Sequence, residues 1–289
     1  MIDSRPVAVA ALLLGAVAIA FSPIFVRLSE LGPVATAFYR LALGWIPIWL
    51  WVTVAARPRR PIARRRVDYA LLLLPGLFFA LDLATWHWSI TLTTVANSTL
   101  LANLAPVFVT LGAWLLFKER FTHRFLAGLA LALVGLMLLS GASIGRGGDY
   151  FLGDVIGVGT AFFYGAYILS VSRLRRLFSA AIIMLWSSVV GAIILLPVAM
   201  LSGESLTGLS TAGWLTLLGL AWFSHAAGQG SIAYALAHLP AAYSSVLLIT
   251  QPLFAAVLAW LLFEETLTTG QQLGAVVIMA GIYLASRRS

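Results

Sequence analysis

The segment PVFVTLGAWLLFKE at residues 106–119 returns as PLFAAVLAWLLFEE at residues 252–265. Extended at a shift of 146, the stretches 106–140 and 252–286 share 13 of 35 residues, with Gly128/Gly274 and Gly135/Gly281 among them. An internal repeat of this length states an architecture before any single residue does. The copies agree in their packing residues and differ in charge. Lys118, Arg120 and Arg124 follow the first, whereas Glu264, Thr266 and Gly270 follow the second.

Of the 289 residues 61% are hydrophobic and 10% charged. A soluble domain carries about 25% charged residues, so the composition belongs in a bilayer. At about 20 apolar residues per crossing there is room for roughly ten helices. The expected spans are 6–28, 34–56, 68–90, 95–117, 124–143, 153–172, 180–201, 211–236, 240–263 and 269–286. The run from Pro6 to Leu28 exceeds the roughly 7–15 apolar residues of a signal peptide and reads as the first span.

The absence of cysteine excludes disulfides and thiolate chemistry. No HExxH, P-loop or metal-ligand cluster occurs, so no enzyme, cofactor or metal is expected. Gly141-Ala-Ser143-Ile-Gly145 has the letters of a nucleophile elbow, but lies in a glycine-rich turn with no preceding strand. It is a chance match. Asp154 is expected to cap the sixth span, where an anion is favoured.

The net charge of +8 comes from basic residues in short turns, not from a folded basic face; nucleic acid is not an expected partner. With the N-terminus inside, the inner turns hold Arg5, Arg57, Arg59, Arg60, Arg64, Arg65, Arg66, Lys118, Arg120, Arg124, Arg173, Arg175, Arg176, Arg287 and Arg288, 15 of the 18 Lys and Arg. That bias places both termini in the cytoplasm. Five helices separate one copy of the repeat from the next, so the copies cross in opposite directions. The expected organisation is a five-helix repeat over 1–146 and an inverted one over 147–289. Inverted repeats serve alternating access in carriers; packing alone is the other reason for such symmetry.

The repeated Pro…Phe…Leu-Leu-Phe-x-Glu followed by Gly-x6-Gly, with Tyr39-Arg40-Leu41 in the second span, resembles the drug/metabolite transporter superfamily, EamA type. Bacterial aromatic amino acid exporters are the nearest comparison. The resemblance implies an all-α basket with a central cavity lined by spans 1, 3, 4, 6, 8 and 9.

Polar groups in hydrocarbon face the bundle interior or water, and so point to a path. Span 3 places Asp82, Thr85, Trp86 and Ser89 on one face, with His87 and Trp88 beside it. Arg40 falls at the depth of Asp82, which makes a pair, because an unpaired charge there is costly. A structural ion pair and a gating or proton-coupling role both suit it. In span 8, Trp222, His225 and Gln229 stand at i, i+3 and i+7, one face of an α-helix. They suit a substrate wall, or an interhelical hydrogen bond. Span 4 offers Asn97, Ser98 and Asn103, and span 9 offers Tyr243, Ser244, Ser245 and Gln251; Ser98 and Ser244 share a repeat position. Pro106 and Pro252 each remove a backbone donor, as hinges or as fixed bends. Span 1 carries Pro23, and span 6 Tyr164 and Tyr167. Trp45, Trp49, Trp51, Trp114 and Trp260 read as interfacial anchors.

The expected function is export of small organic solutes across a bacterial inner membrane by alternating access. Amino acids with an aromatic preference are the substrates that Trp and Tyr beside Asn, Gln, Ser and His suit. Export of other metabolites or drugs, a channel-like facilitator, and a scaffold or sensor are the alternatives. The expected partners are a small-molecule substrate and the bilayer; the oligomeric state is open.

Overall fold

The computed structural model describes residues 4–54, 66–93, 95–140, 149–264 and 267–287. The arginine-rich turn at 57–65 and the Gly141–Gly145 motif lie outside them. Every element among the described residues is a helix. The first half holds α1 (Ser4–Ala20), α2 (Ser22–Leu28), α3 (Pro33–Val54), α4 (Arg66–Ala70), α5 (Leu73–Leu92), α6 (Val95–Ala102), α7 (Ala105–Phe117) and α8 (His123–Ser140). The second holds α9 (Asp149–Leu174), α10 (Ala180–Leu201), α11 (Thr211–Leu218), a π-helix, π1 (Gly219–Gln229), α12 (Gly230–Ala235), α13 (Ala241–Leu247), α14 (Thr250–Phe263) and α15 (Thr269–Ser286).

Among the described residues eight stretches are long and apolar enough to cross a membrane: 5–28, 33–54, 66–92, 98–117, 123–140, 151–174, 180–201 and 241–263. Two expected spans are not among them. Residues 211–236 are wound as α11, π1 and α12, and α15 opens on the polar pair Gln271-Gln272. The outward faces carry Leu14, Leu116, Val134, Met200 and Val276, each more than half exposed. In water such a surface would associate; here it faces lipid.

The chain packs as two compact units. The first comprises residues 1–84 and 170–239, the second 85–169 and 240–289, so each draws on both halves of the sequence.

In the first unit α3 lies along α10, and π1 packs on α1 and α3. Glycines permit the close approach: a Cβ on Gly15 would stand 2.8 Å from the Gly228 carbonyl oxygen. Ser224 Oγ donates to the Ala18 carbonyl at 2.7 Å across the same seam. Two turns clamp each other. Glu204 accepts from Ala35 N–H at 2.8 Å in the first turn of α3, and Glu30 accepts from Ser210 N–H at 2.8 Å where α11 begins. Carboxylates at helix N-termini satisfy free N–H groups and complement the dipole. The Ser210 hydroxyl also donates to Glu30, and together these bonds hold the Glu30 carboxyl below its ordinary range.

In the second unit α8 and α15 form the tightest pair. A Cβ on Gly128 would stand 2.7 Å from the Gly281 oxygen, and one on Gly281 would stand 2.7 Å from the Gly128 oxygen. Gly135 and Gly274 repeat this exchange at 2.8 and 2.7 Å. Contacts rise along α8 as they fall along α15, so the helices are antiparallel. Reciprocal contact of this kind is the mark of a two-fold axis. Small residues let membrane helices close to backbone distance. The repeat also marks the ends of α7 and α14. Lys118 and Glu264, one repeat apart, cap them in the left-handed region at φ 55° and 57°, each giving its N–H to the matching alanine oxygen, of Ala113 and Ala259.

Candidate functional site

The polar residues expected in the bilayer gather in two places, one in each unit. In the first unit they form a buried stack. Arg40 of α3 lies with its guanidinium 5.5 Å over the ring of Phe79 of α5. Phe79 stacks on His225 of π1, with centroids 5.5 Å apart and planes at 13°. His225 Nε2 is 2.8 Å from Ser188 Oγ of α10, and that hydroxyl lies 2.8 Å from the Met184 carbonyl oxygen it serves. Asp82 of α5 is 9% exposed, as is Arg40. Gly44 makes the room, since a Cβ there would meet His225 Cδ2 at 2.5 Å.

The expected face of Trp222, His225 and Gln229 divides. A π-helix closes its hydrogen bonds five residues apart, so residues four apart line up and residues three apart do not. His225 and Gln229 are buried at 0% and 2%, whereas Trp222 is 46% exposed. Sequence reasoning missed two members of the stack. Ser188 lies in the middle of an apolar span, and a search for polar groups there finds it. Phe79 stands three residues before Asp82, on its face, and nothing marks it apart from other apolar residues.

In the second unit a small cavity of about 20 Å³ has room for a water molecule and not for an amino acid. Its lining includes Asn103 and Pro106 at the α6–α7 break, Tyr164 of α9, and Ser245, Leu248 and Gln251 at the α13–α14 break. Gln251 Nε2 is buried there without a partner among the described residues, while Asn103 Nδ2 donates to the Thr99 oxygen at 2.8 Å. The prolines interrupt their spans outright. Pro23 and Pro106 stand in the first turns of α2 and α7, where a missing N–H costs nothing, and Pro252 is the third residue of α14. The Leu248 oxygen, which Pro252 cannot serve, accepts from Gln251 N–H at 2.9 Å.

Around the cavity the remaining candidates find ordinary partners. Tyr164 and Tyr167 stack at 5.9 Å, with Tyr167 buried. Trp86 is half-buried against His87, centroids 4.9 Å apart. Thr85 pairs with Thr160 at 3.0 Å, and Ser89 Oγ donates to the Gly153 oxygen at 2.8 Å. Asp154 accepts from Thr93 Oγ1 at 2.8 Å; it stands five residues past the start of α9 and does not cap it. Ser98 and Ser244 are buried, with hydroxyls lacking partners among the described residues, and Tyr243 is half-buried. The side chain of Asn97 lies outside the described residues. No group of three or more His, Asp or Glu able to hold a metal occurs among the described residues.

The EamA-like transporter family matches the chain twice, over residues 6–141 and 151–287. A "probable amino-acid metabolite efflux pump" of Salmonella typhimurium is 29% identical over 275 residues, 91% of this chain and 89% of its own. A "probable terminal-alkyne amino-acid exporter" of Streptantibioticus cattleyicolor is 28% identical over 93% of this chain and 89% of its own. A protein crystal structure shares the fold at a TM-score of 0.85 and 16% identity, covering 98% of this chain and 97% of that one.

Proposed function

Because the chain belongs to the EamA-like transporter family, we propose that it exports amino acids, aromatic ones preferred, by alternating access between two inverted five-helix repeats. The family and the relatives above are transporters, not enzymes, and the chain is a multi-pass membrane protein. The observation that carries the repeat is the reciprocal, antiparallel glycine exchange of α8 and α15. A two-fold relating antiparallel helices lies across them, hence in the membrane plane, as an inverted repeat requires. The paired left-handed caps at Lys118 and Glu264 support the same relation.

The relatives' printed names support amino acids. The aromatic preference rests on the wealth of Trp and Tyr among the polar groups. In this reading Trp86, His87, Asn97, Tyr164, Tyr167, Trp222, His225, Gln229, Tyr243, Ser244 and Gln251 meet the substrate. Asp82 and Arg40 serve gating or coupling, and Pro23, Pro106 and Pro252 mark the points where half-helices move. The setting is a bacterial inner membrane with both termini cytoplasmic.

Counterflow of labelled tryptophan in proteoliposomes, competed by amino acids, cationic dyes and nucleotide sugars, tests the reading. Exchange blocked by phenylalanine and tyrosine is the expected result. Displacement by a dye or another metabolite alone would discard the substrate and keep the carrier; no flux for any solute would discard the carrier.

A further inference from the structure

The α8–α15 pair of the second unit gathers cations at one of its ends. Gly128 meets Gly281 and Ala285, and contacts fall along α15 as they rise along α8. One more turn of that register sets Arg287, just past the end of α15, beside residues 122–126, where Arg124 lies in the first turn of α8. Lys118 and Arg120, in the turn that joins α7 to α8, belong to the same end. All four are exposed, and Glu119 is the one acid in that turn. The equivalent positions of the repeat are Glu264, Thr266, Gly270 and Gly141, none of them a cation. Glycine exchange packs the pair alike toward both ends, so packing does not call for the charges.

Beneath the cations lies an apolar surface of matching length. Val276, Met279 and Tyr283, each more than half exposed, lead up to Arg287 on one stripe of α15. From Val276 to Arg287 that stripe rises about 16 Å, one leaflet's share of a hydrocarbon core of about 30 Å. The Arg287 guanidinium lies 4.7 Å from the Tyr283 ring centroid and donates to the Tyr283 hydroxyl, which keeps the charge at the head of the stripe. On α8, Leu126, Val134 and Met137 are exposed in the same way below Arg124. The positive-inside rule accounts for the side on which such cations lie, but not for their convergence on the end of one lipid-facing pair.

We propose that this end of the α8–α15 pair is a binding surface for an anionic phospholipid. Its phosphodiester meets the four cations, and an acyl chain lies along Val276, Met279 and Tyr283. Basic clusters at the ends of membrane helices hold anionic headgroups in this way. A free phosphate would match the charge and leave the stripe unused, and a zwitterionic lipid would do the reverse. The inference needs the bilayer, but neither the substrate nor the transport cycle proposed above.

Native mass spectrometry of the full chain, released from micelles holding equal amounts of phosphatidylglycerol and phosphatidylcholine, tests it. Wild type should retain phosphatidylglycerol in excess, and the excess should shrink as ammonium acetate is raised, because salt screens exposed charges. One cation beside an anionic headgroup is worth about fivefold in affinity. Arg124→Gln and Arg287→Gln should each weaken the preference by about that factor, and the double variant should lose most of it. Arg287→Lys keeps the charge and should keep the preference. Arg173→Gln/Arg176→Gln removes two exposed cations of the first unit and should leave the preference unchanged. Equal retention of the two lipids by wild type would overturn the proposal. So would a loss in the Arg173/Arg176 control as large as in the double variant, or displacement of phosphatidylglycerol by inorganic phosphate.

Discussion

Alanine at position 281 would bring a Cβ 2.7 Å from the Gly128 oxygen and 2.8 Å from Ala132 Cα. Ordinary contact begins at 3.4 Å, so the oxygen alone is 0.7 Å too near, and the Ala132 backbone nitrogen is nearer still. All three obstacles are backbone atoms of α8 and cannot rotate aside. The two helices must part along their whole seam, loosening contacts that carry their association in lipid. Overpacking of this kind costs about 1–3 kcal/mol. In a chain of this size that lowers the melting temperature by roughly 2–5 °C. Gly128→Ala meets the mirror-image obstacles, the Gly281 oxygen at 2.7 Å and Ala285 Cα at 2.8 Å, and should lose a similar amount. The double variant should lose less than the sum, because the first alanine already opens the seam for the second. Gly270→Ala is the control, with Thr268 Oγ1 at 4.0 Å as its nearest neighbour; it should be neutral, or more stable by up to about 1 kcal/mol. The assay is thermal unfolding of the detergent-solubilised chain by light scattering and size exclusion. If Gly281→Ala melts with Gly270→Ala, or if Gly128→Ala is harmless where Gly281→Ala is severe, the reciprocal packing argument fails.

Further consequences are open to the same methods. Thr268 and Gln271 form a capping box at the start of α15, so Thr268→Ala should cost about 0.5–2 kcal/mol, read as a lower melting temperature. The Glu30 carboxyl titrates below its ordinary value of 4.5 because Ser210 donates to its charged form. Its contribution is therefore present above that value and is lost as pH falls through the lowered one. Glu30→Gln should flatten the loss of thermal stability between pH 5 and pH 3, and an unchanged profile would remove Glu30 from the clamp. Asp82→Asn should abolish the pH dependence of transport, since Arg40 loses its counter-charge; a normal rate and profile would assign the pair to structure alone.

Hydropathy made most crossings legible, because twenty apolar residues in lipid leave the backbone little choice but a helix. The repeat was legible for a related reason: Gly128, Gly135, Gly274 and Gly281 sit where two backbones touch, and no larger residue fits. Depth counting put Arg40 and Asp82 at one level, and both are buried side chains of the first unit. Local winding was not legible. The face drawn through Trp222, His225 and Gln229 assumed 100° per residue, and π1 turns by less, which keeps His225 with Gln229 and carries Trp222 away. The prolines announced a disturbance without its form, a break into two helices in place of a bend. Phe79 had no polar atom to give it away; only the side chains on both sides of it reveal its place.

The inverted repeat is the central claim, and the two turns that differ in charge test it. Lys118 and Glu264 are exposed, occupy one repeat position and share one backbone conformation. The chain contains no cysteine, so Lys118→Cys and Glu264→Cys each give a single thiol. Both variants can be treated in intact cells and in inverted vesicles with a membrane-impermeant maleimide. Position 118 should label from the cytoplasmic side and position 264 from the opposite side. Labelling of both from one side would contradict it.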